Sequence, residues 1–244
     1  MPRIGIFDSG VGGLTVQRAI LEALPGLETV YLGDTARVPY GTKSPEVVTQ
    51  YAVRNARVLV AKGVEMLVVA CNTASAVALP ALREAFDVPV LGVVEPGARA
   101  AARATRSGRV GVLGTQSTVA SGAYQRALGE LLPGVRVTAQ ACPLFVPLAE
   151  EGWTDPDDEV VRLVARRYLA PVRAAGVDVV VLGCTHYPLL SAAIAAEVRE
   201  RFPTAASGGP AVHEFLVTDT PDRFLRVAPR FLGRPVESAR HVDV

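Results

Sequence analysis

The feature that most restricts the fold is an alternation, along most of the sequence, of short apolar runs and stretches with helical periodicity. The runs are rich in Val, Ile and Leu and carry few charges, which is typical of strands buried on both faces of a parallel sheet. Strands that alternate with amphipathic helices predict an α/β protein. Strands are predicted at residues 3–7, 29–32, 66–70, 90–93, 109–113, 135–139 and 177–182.

One predicted helix has clear boundary signals. It starts at Pro156, with Asp155 as the N-cap, and runs to Arg173. A capping aspartate, a proline at the first helical position and acidic residues in the first turn all favour a helix start here.

The sequence also contains a weak internal repeat. Residues 62–73 (KGVEMLVVACNT) align with residues 175–186 (AGVDVVVLGCTH), and residues 3–9 align with residues 109–115 at a similar offset. Chance similarity between strands is the alternative explanation, but the matched cysteines favour a true repeat. We therefore expect two similar lobes, each a mostly parallel sheet flanked by helices, related by a pseudo-two-fold axis. The expected lobes are residues 1–96, completed by 206–244, and residues 97–205.

Polar residues follow several of the predicted strands, where parallel sheets bind ligands. Cys71 and Cys184 would approach one cleft from opposite lobes. The N–H groups that follow each cysteine are expected to lower the thiol pKa from its usual value of about 8.5. A buried structural role is the alternative for any cysteine, and we adopt it for Cys142 in its apolar segment.

Two opposed thiols indicate removal of a proton from one face of a carbon and its return to the other. Asp8 and His186 are the natural partners of the thiols. Hydroxyl and amide side chains nearby are candidate ligands for a carboxylate or an ammonium group: Ser9, Asn72, Thr73, Thr115, Thr118 and Thr185.

Composition and motifs exclude several other classes. The glycine-rich segment 10–13 lacks the ending of a phosphate-binding loop, and the three cysteines form no Cys-x-x-Cys pair, which argues against a zinc site. Only Lys43 and Lys62 could form a pyridoxal Schiff base, so we expect neither cofactor nor metal. A net charge of +1 argues against nucleic-acid binding. With no signal peptide and no apolar run that could span a membrane, we expect a cytoplasmic protein.

Four motifs together resemble those of the glutamate racemases of the aspartate/glutamate racemase superfamily. They are FDSGVGGL at 7–14, GDTARVPYG at 33–41, ACNTAS at 70–75 and LGCTHYPL at 182–189. The resemblance implies a cofactor-independent isomerase that interconverts L- and D-glutamate between two α/β lobes and supplies D-glutamate for peptidoglycan. A homodimer is also expected.

The resemblance also assigns roles by position. Cys184 matches the base that acts on L-glutamate and Cys71 the base that acts on D-glutamate, with Asp8 and His186 as assisting groups. Glu150 matches a further acidic residue, although adjacent Glu151 is an alternative. Substrate-binding positions are matched by Ser9, Tyr40, Gly41, Asn72, Thr73 and Thr185.

The sequence departs from the glutamate racemases in one segment, and two alternative functions remain. Residues 203–210 replace a strand, a turn and a helix that these racemases usually carry, so the C-terminal part of the first lobe is expected to be shortened. The alternatives are a racemase of the same superfamily that acts on aspartate or another amino acid, and a non-catalytic two-lobed amino-acid binding module.

Overall fold

The computed structural model describes residues 3–202 and the strand at 214–217. The first of its two sheets has four parallel strands, and helices connect them. In chain order these elements are β1 (Arg3–Asp8), α1 (Leu14–Ala23), β2 (Glu28–Gly33), α2 (Pro45–Val60), β3 (Met66–Val69), α3 (Asn72–Val77), α4 (Leu79–Ala85) and β4 (Val90–Gly92).

The second sheet is also parallel and four-stranded, and α5 leads into it from β4. Its elements are α5 (Val94–Ala104), β5 (Arg109–Gly114), α6 (Gln116–Ala120), α7 (Ala123–Leu131), β6 (Arg136–Ala141), α8 (Phe145–Glu150), α9 (Glu159–Ala174), β7 (Val179–Gly183), α10 (Ser191–Arg201) and β8 (Glu214–Val217). Short 3-10 turns lie at Tyr40–Thr42 and Tyr187–Leu190.

The two sheets have the same topology, with strand orders β2-β1-β3-β4 and β6-β5-β7-β8. The predicted α/β class and two-lobe architecture are therefore confirmed, and the shared order agrees with the internal repeat. In each sheet the second strand lies on one side of the first, and the third and fourth strands lie on the other side. The strand order therefore reverses between β1 and β3 in one sheet and between β5 and β7 in the other. Open parallel sheets bind ligands beyond the carboxyl ends of the strands at such a switch point.

Each sheet is covered on both faces. In the first lobe, Ile4 and Ile6 pack towards α1, whereas Phe7 and Val69 pack towards α2, α3 and α4. The second sheet packs one face on α5 and α7 and the other on α8, α9 and α10. Burial on both faces explains why these strands lack a polar alternation. None of the described helices is long and apolar enough to cross a membrane.

All seven predicted strands are present, with their ends displaced by one or two residues. The largest differences, of two residues, are at the end of β6 and at the start of β7, which we predicted at Val177 and which begins at Val179. Asp178 instead turns its carboxylate to the loop before β5, where it accepts hydrogen bonds from the Thr105 hydroxyl and from the N–H groups of Arg106 and Ser107. These bonds hold the pKa of Asp178 below its ordinary value, although burial opposes the shift.

The predicted start of α9 was wrong. The helix begins at Glu159, and its N-cap is Asp158, whose carboxylate accepts hydrogen bonds from the N–H groups of Val160 and Val161 at 2.8 and 3.0 Å. Asp155 accepts from the N–H of Asp157 at 2.9 Å and so closes a separate turn. Several aspartates precede this helix, and side-chain capping selects the one nearest to it.

The C-terminal segment differs from the expectation that residues 206–244 complete the first lobe. The four described residues, Glu214–Val217, pair with β7 in the second sheet. Because β7 is a buried apolar strand, it needs a hydrogen-bonding neighbour on its far side, and β8 takes this place. The rest of 206–244 lies outside the described residues, and the lobe boundaries remain a prediction.

Candidate active site

The first half of the site lies at the carboxyl ends of β1 and β3. Cys71 is the N-cap residue of α3, and its thiol donates a hydrogen bond to the Ser9 hydroxyl with an Sγ–Oγ distance of 3.6 Å. Asp8 is fully buried, and its Oδ2 atom accepts a hydrogen bond from the N–H of Gly10 at 3.0 Å. The strand pairing of Phe7 with Val69 brings these two turns side by side.

The second half lies at the carboxyl end of β7. Cys184 Sγ is 3.8 Å from His186 Nδ1, and both residues are buried. His186 Nε2 is 2.5 Å from Glu150 Oε1 at the end of α8. The Glu150 side chain is 34% exposed, so the three groups run from the buried thiol towards solvent. Glu150, not the exposed Glu151, is therefore the acid in contact with His186.

Hydrogen bonds join the two lobes at the site. The Thr185 hydroxyl, in the second lobe, donates to Asp8 Oδ1 in the first at 3.3 Å. Thr73 Oγ1, in the first lobe, is 2.9 Å from Thr115 Oγ1 and 3.4 Å from Thr118 Oγ1 in the second. These four threonine hydroxyls and the Asp8 carboxylate line both sides of the contact between the lobes.

Two glycines allow this close approach. A Cβ atom at Gly12 would lie 2.7 Å from Thr185 Oγ1 and 3.1 Å from His186 Nδ1. A Cβ atom at Gly41 would lie 2.6 Å from Thr115 Cγ2. The glycine-rich segment 10–13 therefore allows the backbone of one lobe to lie against the Cys184 turn of the other.

Two further candidate residues, Asn72 and Tyr40, take part in hydrogen bonds of tyrosine hydroxyls. Asn72 Oδ1 accepts a hydrogen bond of 2.7 Å from the buried Tyr124 hydroxyl of the second lobe. The Tyr40 hydroxyl donates to Asp34 Oδ2 at 2.5 Å and accepts from Asn55 at 3.1 Å. Both hydrogen bonds of the Tyr40 hydroxyl are therefore within its own lobe. A substrate at this position would be contacted by the Tyr40 backbone.

The predicted lowering of the thiol pKa values was wrong. Burial, with help from the Asp8 charge, raises the pKa of Cys71 to about 11. Burial also raises the pKa of Cys184, and the charges of Cys71 and Asp8 add to the effect. Backbone N–H groups near each sulfur lower the pKa, as the sequence indicated, but desolvation outweighs them.

The pKa of Asp8 is raised as well. Its complete burial raises the pKa of the carboxyl, although His186 and the N–H groups of Gly10 and Gly13 oppose the shift.

Cys142, the third cysteine, is buried in the core of the second lobe and donates to the carbonyl of Gln140 at 3.4 Å. Within residues 3–202, no three His, Cys, Asp or Glu side chains are grouped in a way that could hold a metal ion.

Comparison with known proteins agrees with this arrangement. The Asp/Glu/hydantoin racemase family model matches residues 4–210. The glutamate racemase of Geobacter metallireducens is 53% identical over 254 residues, which cover 94% of this chain and 92% of that protein. The chain belongs to the glutamate racemases of this family. Membership makes it an amino-acid isomerase, which decides against the non-catalytic binding module.

Solved racemase structures have the same fold. The glutamate racemase of Thermus thermophilus, in complex with β-chloro-D-alanine, is 46% identical with a TM-score of 0.76 and covers 98% of this chain and 85% of its own. The enzyme of Francisella tularensis, in complex with D-glutamate, is 31% identical with a TM-score of 0.76 and covers 99% and 97%.

Sequence reasoning overlooked the tyrosines that support the site. Tyr31 donates to the carbonyl of Gly10, and Tyr124 donates to Asn72 across the lobes. Tyr31 lies in an apolar strand and Tyr124 on the buried side of α7, and both look like core residues in the sequence. The available signal was the hydroxyl itself, because a tyrosine buried within a strand or helix needs a hydrogen-bonding partner.

Proposed function

We propose that this racemase interconverts L- and D-glutamate by a cofactor-independent, two-base proton transfer in which Cys71 and Cys184 act on opposite faces of Cα. The observation that carries the proposal is the pair of cysteine turns, which follow corresponding strands of two like sheets and meet where the lobes touch. Glutamate is the substrate of the relatives named above and is bound, as the D enantiomer, in the Francisella enzyme.

In the L-to-D direction, Cys184 removes the Cα proton and Cys71 delivers a proton to the other face. His186 Nδ1, 3.8 Å from the Cys184 sulfur, takes up the thiol proton beforehand, and Glu150 stabilises the resulting imidazolium. This relay leads the proton away from the buried sulfur, whose own environment favours the neutral thiol.

In the D-to-L direction, Cys71 is the base, and its nearest partners differ. Ser9 holds the thiol, and the Asp8 carboxylate lies close enough to raise the thiol pKa. The raised pKa of Asp8 suits it to accept the proton of this thiol. The two bases thus have separate proton acceptors, a carboxyl for Cys71 and an imidazole for Cys184.

Substrate binding brings a charge that favours the thiolate form of both cysteines. The α-ammonium group of glutamate brings a positive charge beside both sulfurs, and a neighbouring opposite charge favours the thiolate. Asp8 provides the countercharge for the ammonium group. Negative charge that develops at Cα spreads onto the α-carboxylate, where fixed hydroxyl and amide donors stabilise it. The donors for the two substrate carboxylates are Ser9, Asn72, Thr73, Thr115, Thr118, Thr185 and the backbone at Tyr40 and Gly41.

The cellular role follows from the product. D-glutamate is a building block of peptidoglycan, so we infer a function in cell-wall synthesis and cell shape, in the cytoplasm where such precursors are made. We also infer a homodimer.

Single cysteine variants test the proposal. The optical signal of L-glutamate should decay to zero with the native protein after dialysis against a chelator and in the presence of a carbonyl reagent. Cys71→Ser and Cys184→Ser should abolish racemisation, whereas the packing control Cys142→Ala should retain it. Full racemase activity in either serine variant would refute the two-base mechanism, and activity that depends on added pyridoxal phosphate or a divalent metal would refute cofactor independence.

N-hydroxyglutamate separates the two bases. After loss of the Cα proton this analogue expels hydroxide from nitrogen and forms an imine, so one base is sufficient. Cys71→Ser should eliminate only from the L form and Cys184→Ser only from the D form. Equal loss for both enantiomers in each variant would contradict the assignment of each thiol to one face.

A further inference from the structure

Tyr31 lies beneath the turn that carries Asp8 and Ser9. It belongs to the edge strand β2 and packs with the core on the α1 face of the first sheet. Its hydroxyl donates a hydrogen bond of 2.8 Å to the carbonyl of Gly10. The hydroxyl therefore reaches from the core to the backbone of the catalytic turn.

Gly10 is held from two directions. Its N–H donates to Asp8 Oδ2 at 3.0 Å, and its carbonyl accepts from Tyr31. These two bonds hold the peptide groups before and after the Gly10 Cα atom and so restrict its φ and ψ angles. The Tyr31 hydroxyl thus helps to hold the backbone N–H that donates to the Asp8 carboxylate.

The Tyr31 hydroxyl packs close to the end of β3, which Cys71 follows. A Cβ atom at Gly13 would lie 2.9 Å from Tyr31 Oη and 3.0 Å from the Cβ of Ala70, the residue before Cys71. The Tyr31 hydroxyl, the Gly13 backbone and the β3 end are therefore in close contact. Burial and the nearby charges of Asp8 and Cys71 raise the pKa of Tyr31, which keeps the hydroxyl protonated as a donor.

The second lobe contacts this turn by packing at Gly10 and Gly12 and through the hydrogen bond from Thr185 to Asp8, but the Cys184 thiol has its own partner in His186. The proton acceptors of Cys184 are His186 and Glu150, which lie on other elements. Ser9, which contacts the Cys71 thiol, is part of the turn that Tyr31 supports. A disturbance of the turn should therefore act directly on the hydrogen bond of Cys71 and reach Cys184 only through its neighbours.

We propose that Tyr31 is a positioning residue for the Cys71 half of the reaction: its hydroxyl holds the Gly10 peptide so that Asp8 and Ser9 face the Cys71 thiol. The inference rests on the proposed racemase function and assigns to one hydroxyl a role in only one of the two proton transfers. Overall racemisation cannot reveal such an asymmetry, because two enantiomers of equal energy must have the same kcat/KM.

The test compares Tyr31→Phe with Tyr51→Phe, using elimination from each enantiomer of N-hydroxyglutamate. Tyr51 is a suitable control because it belongs to the same lobe and its hydroxyl has no hydrogen bond among the described residues; its ring lies under Arg37. Tyr31→Phe should slow elimination from the D form about tenfold, the effect expected from loss of one positioning hydrogen bond, and change the L form less than about twofold. Tyr51→Phe should leave both rates unchanged.

Urea unfolding of both variants completes the test. Equal slowing for the two enantiomers, no slowing, or a Tyr31→Phe protein that does not fold would overturn the assignment, because a hydroxyl needed for folding is structural. A native protein without racemase or elimination activity would instead contradict the proposed function itself.

Discussion

The Thr185 hydroxyl donates a hydrogen bond to the Asp8 carboxylate across the boundary between the two lobes. Thr115 makes the corresponding contact in the opposite sense, from the end of β5 to Thr73 beyond β3. In both, the turn after one central strand reaches the cysteine turn of the other lobe. The arrangement of the two thiols therefore depends on how the lobes dock, and neither lobe contains a complete site.

Removal of the Thr185 hydroxyl should impair the enzyme without unfolding it. Thr185→Val keeps the shape of the side chain but leaves one oxygen of the buried Asp8 without its donor. We expect kcat/KM for both enantiomers to fall by about 10- to 100-fold, in line with the loss of a hydrogen bond to a charged group. Thr154→Val, at an exposed position, is the matched control and should behave like the native protein. Native kinetics for Thr185→Val would show that the contact between the lobes is dispensable.

A methyl group at Gly12 should separate the lobes. Because its Cβ would meet Thr185 Oγ1 and His186 Nδ1, Gly12→Ala should lower kcat/KM by at least about tenfold. Gly129→Ala provides the control: Gly129 lies exposed in α7, has no atom within 4 Å of a built Cβ, and should gain about 0.5–1 kcal/mol of stability. Undiminished activity of Gly12→Ala in a steady-state assay would contradict the close approach.

The buried thiols should make the protein less stable in alkali. An unfolded cysteine loses its proton near its ordinary pKa of about 8.5, whereas Cys71 in the folded protein, with a pKa of about 11, retains it to higher pH. Between these values the unfolded chain binds fewer protons, so the free energy of unfolding falls as the pH rises. The contribution of Cys71 amounts to about 1 to 2 kcal/mol by pH 10. Urea midpoints at pH 8 to 10 should fall less steeply for Cys71→Ser, and identical slopes would contradict the raised pKa.

Glutamate should be strongly preferred to aspartate. The groups that bind the two substrate carboxylates are fixed on the two lobes, so a substrate shorter by one methylene cannot reach both sets and present Cα to the thiols. We expect kcat/KM for aspartate to be lower by about 100-fold or more. A side-by-side racemisation assay measures the ratio. An equal or higher value for aspartate would assign the chain to the neighbouring racemases of the superfamily.

The sequence predicted much of the fold because the strands are buried on both faces and their apolar runs are easily recognised. It also placed Cys71 and Cys184 at strand ends, since strand boundaries and parallel pairing follow from the same pattern. The direction of the thiol pKa shifts did not follow, because the local N–H groups are visible in the sequence but the degree of burial depends on lobe docking.

Other features depend on contacts that no local pattern records. Glu150 and Glu151 are adjacent and chemically identical, and only the position of His186 distinguishes them. The roles of Tyr31 and Tyr124 arise from hydroxyl groups that cross between elements distant in sequence. The cap of α9 was missed because neighbouring aspartates compete for one helix end.

The most direct test of the two-base account is the early fate of the Cα hydrogen when L-glutamate reacts in deuterated water. If Cys184 removes the proton and Cys71, already exchanged with solvent, delivers a deuteron, the first D-glutamate formed carries deuterium at Cα while the remaining L-glutamate does not. Mass spectrometry of the separated enantiomers at a few per cent conversion gives both values. Protium retained in the D-glutamate product, or deuterium that enters L-glutamate as fast as D-glutamate forms, would point to a single base and contradict the account.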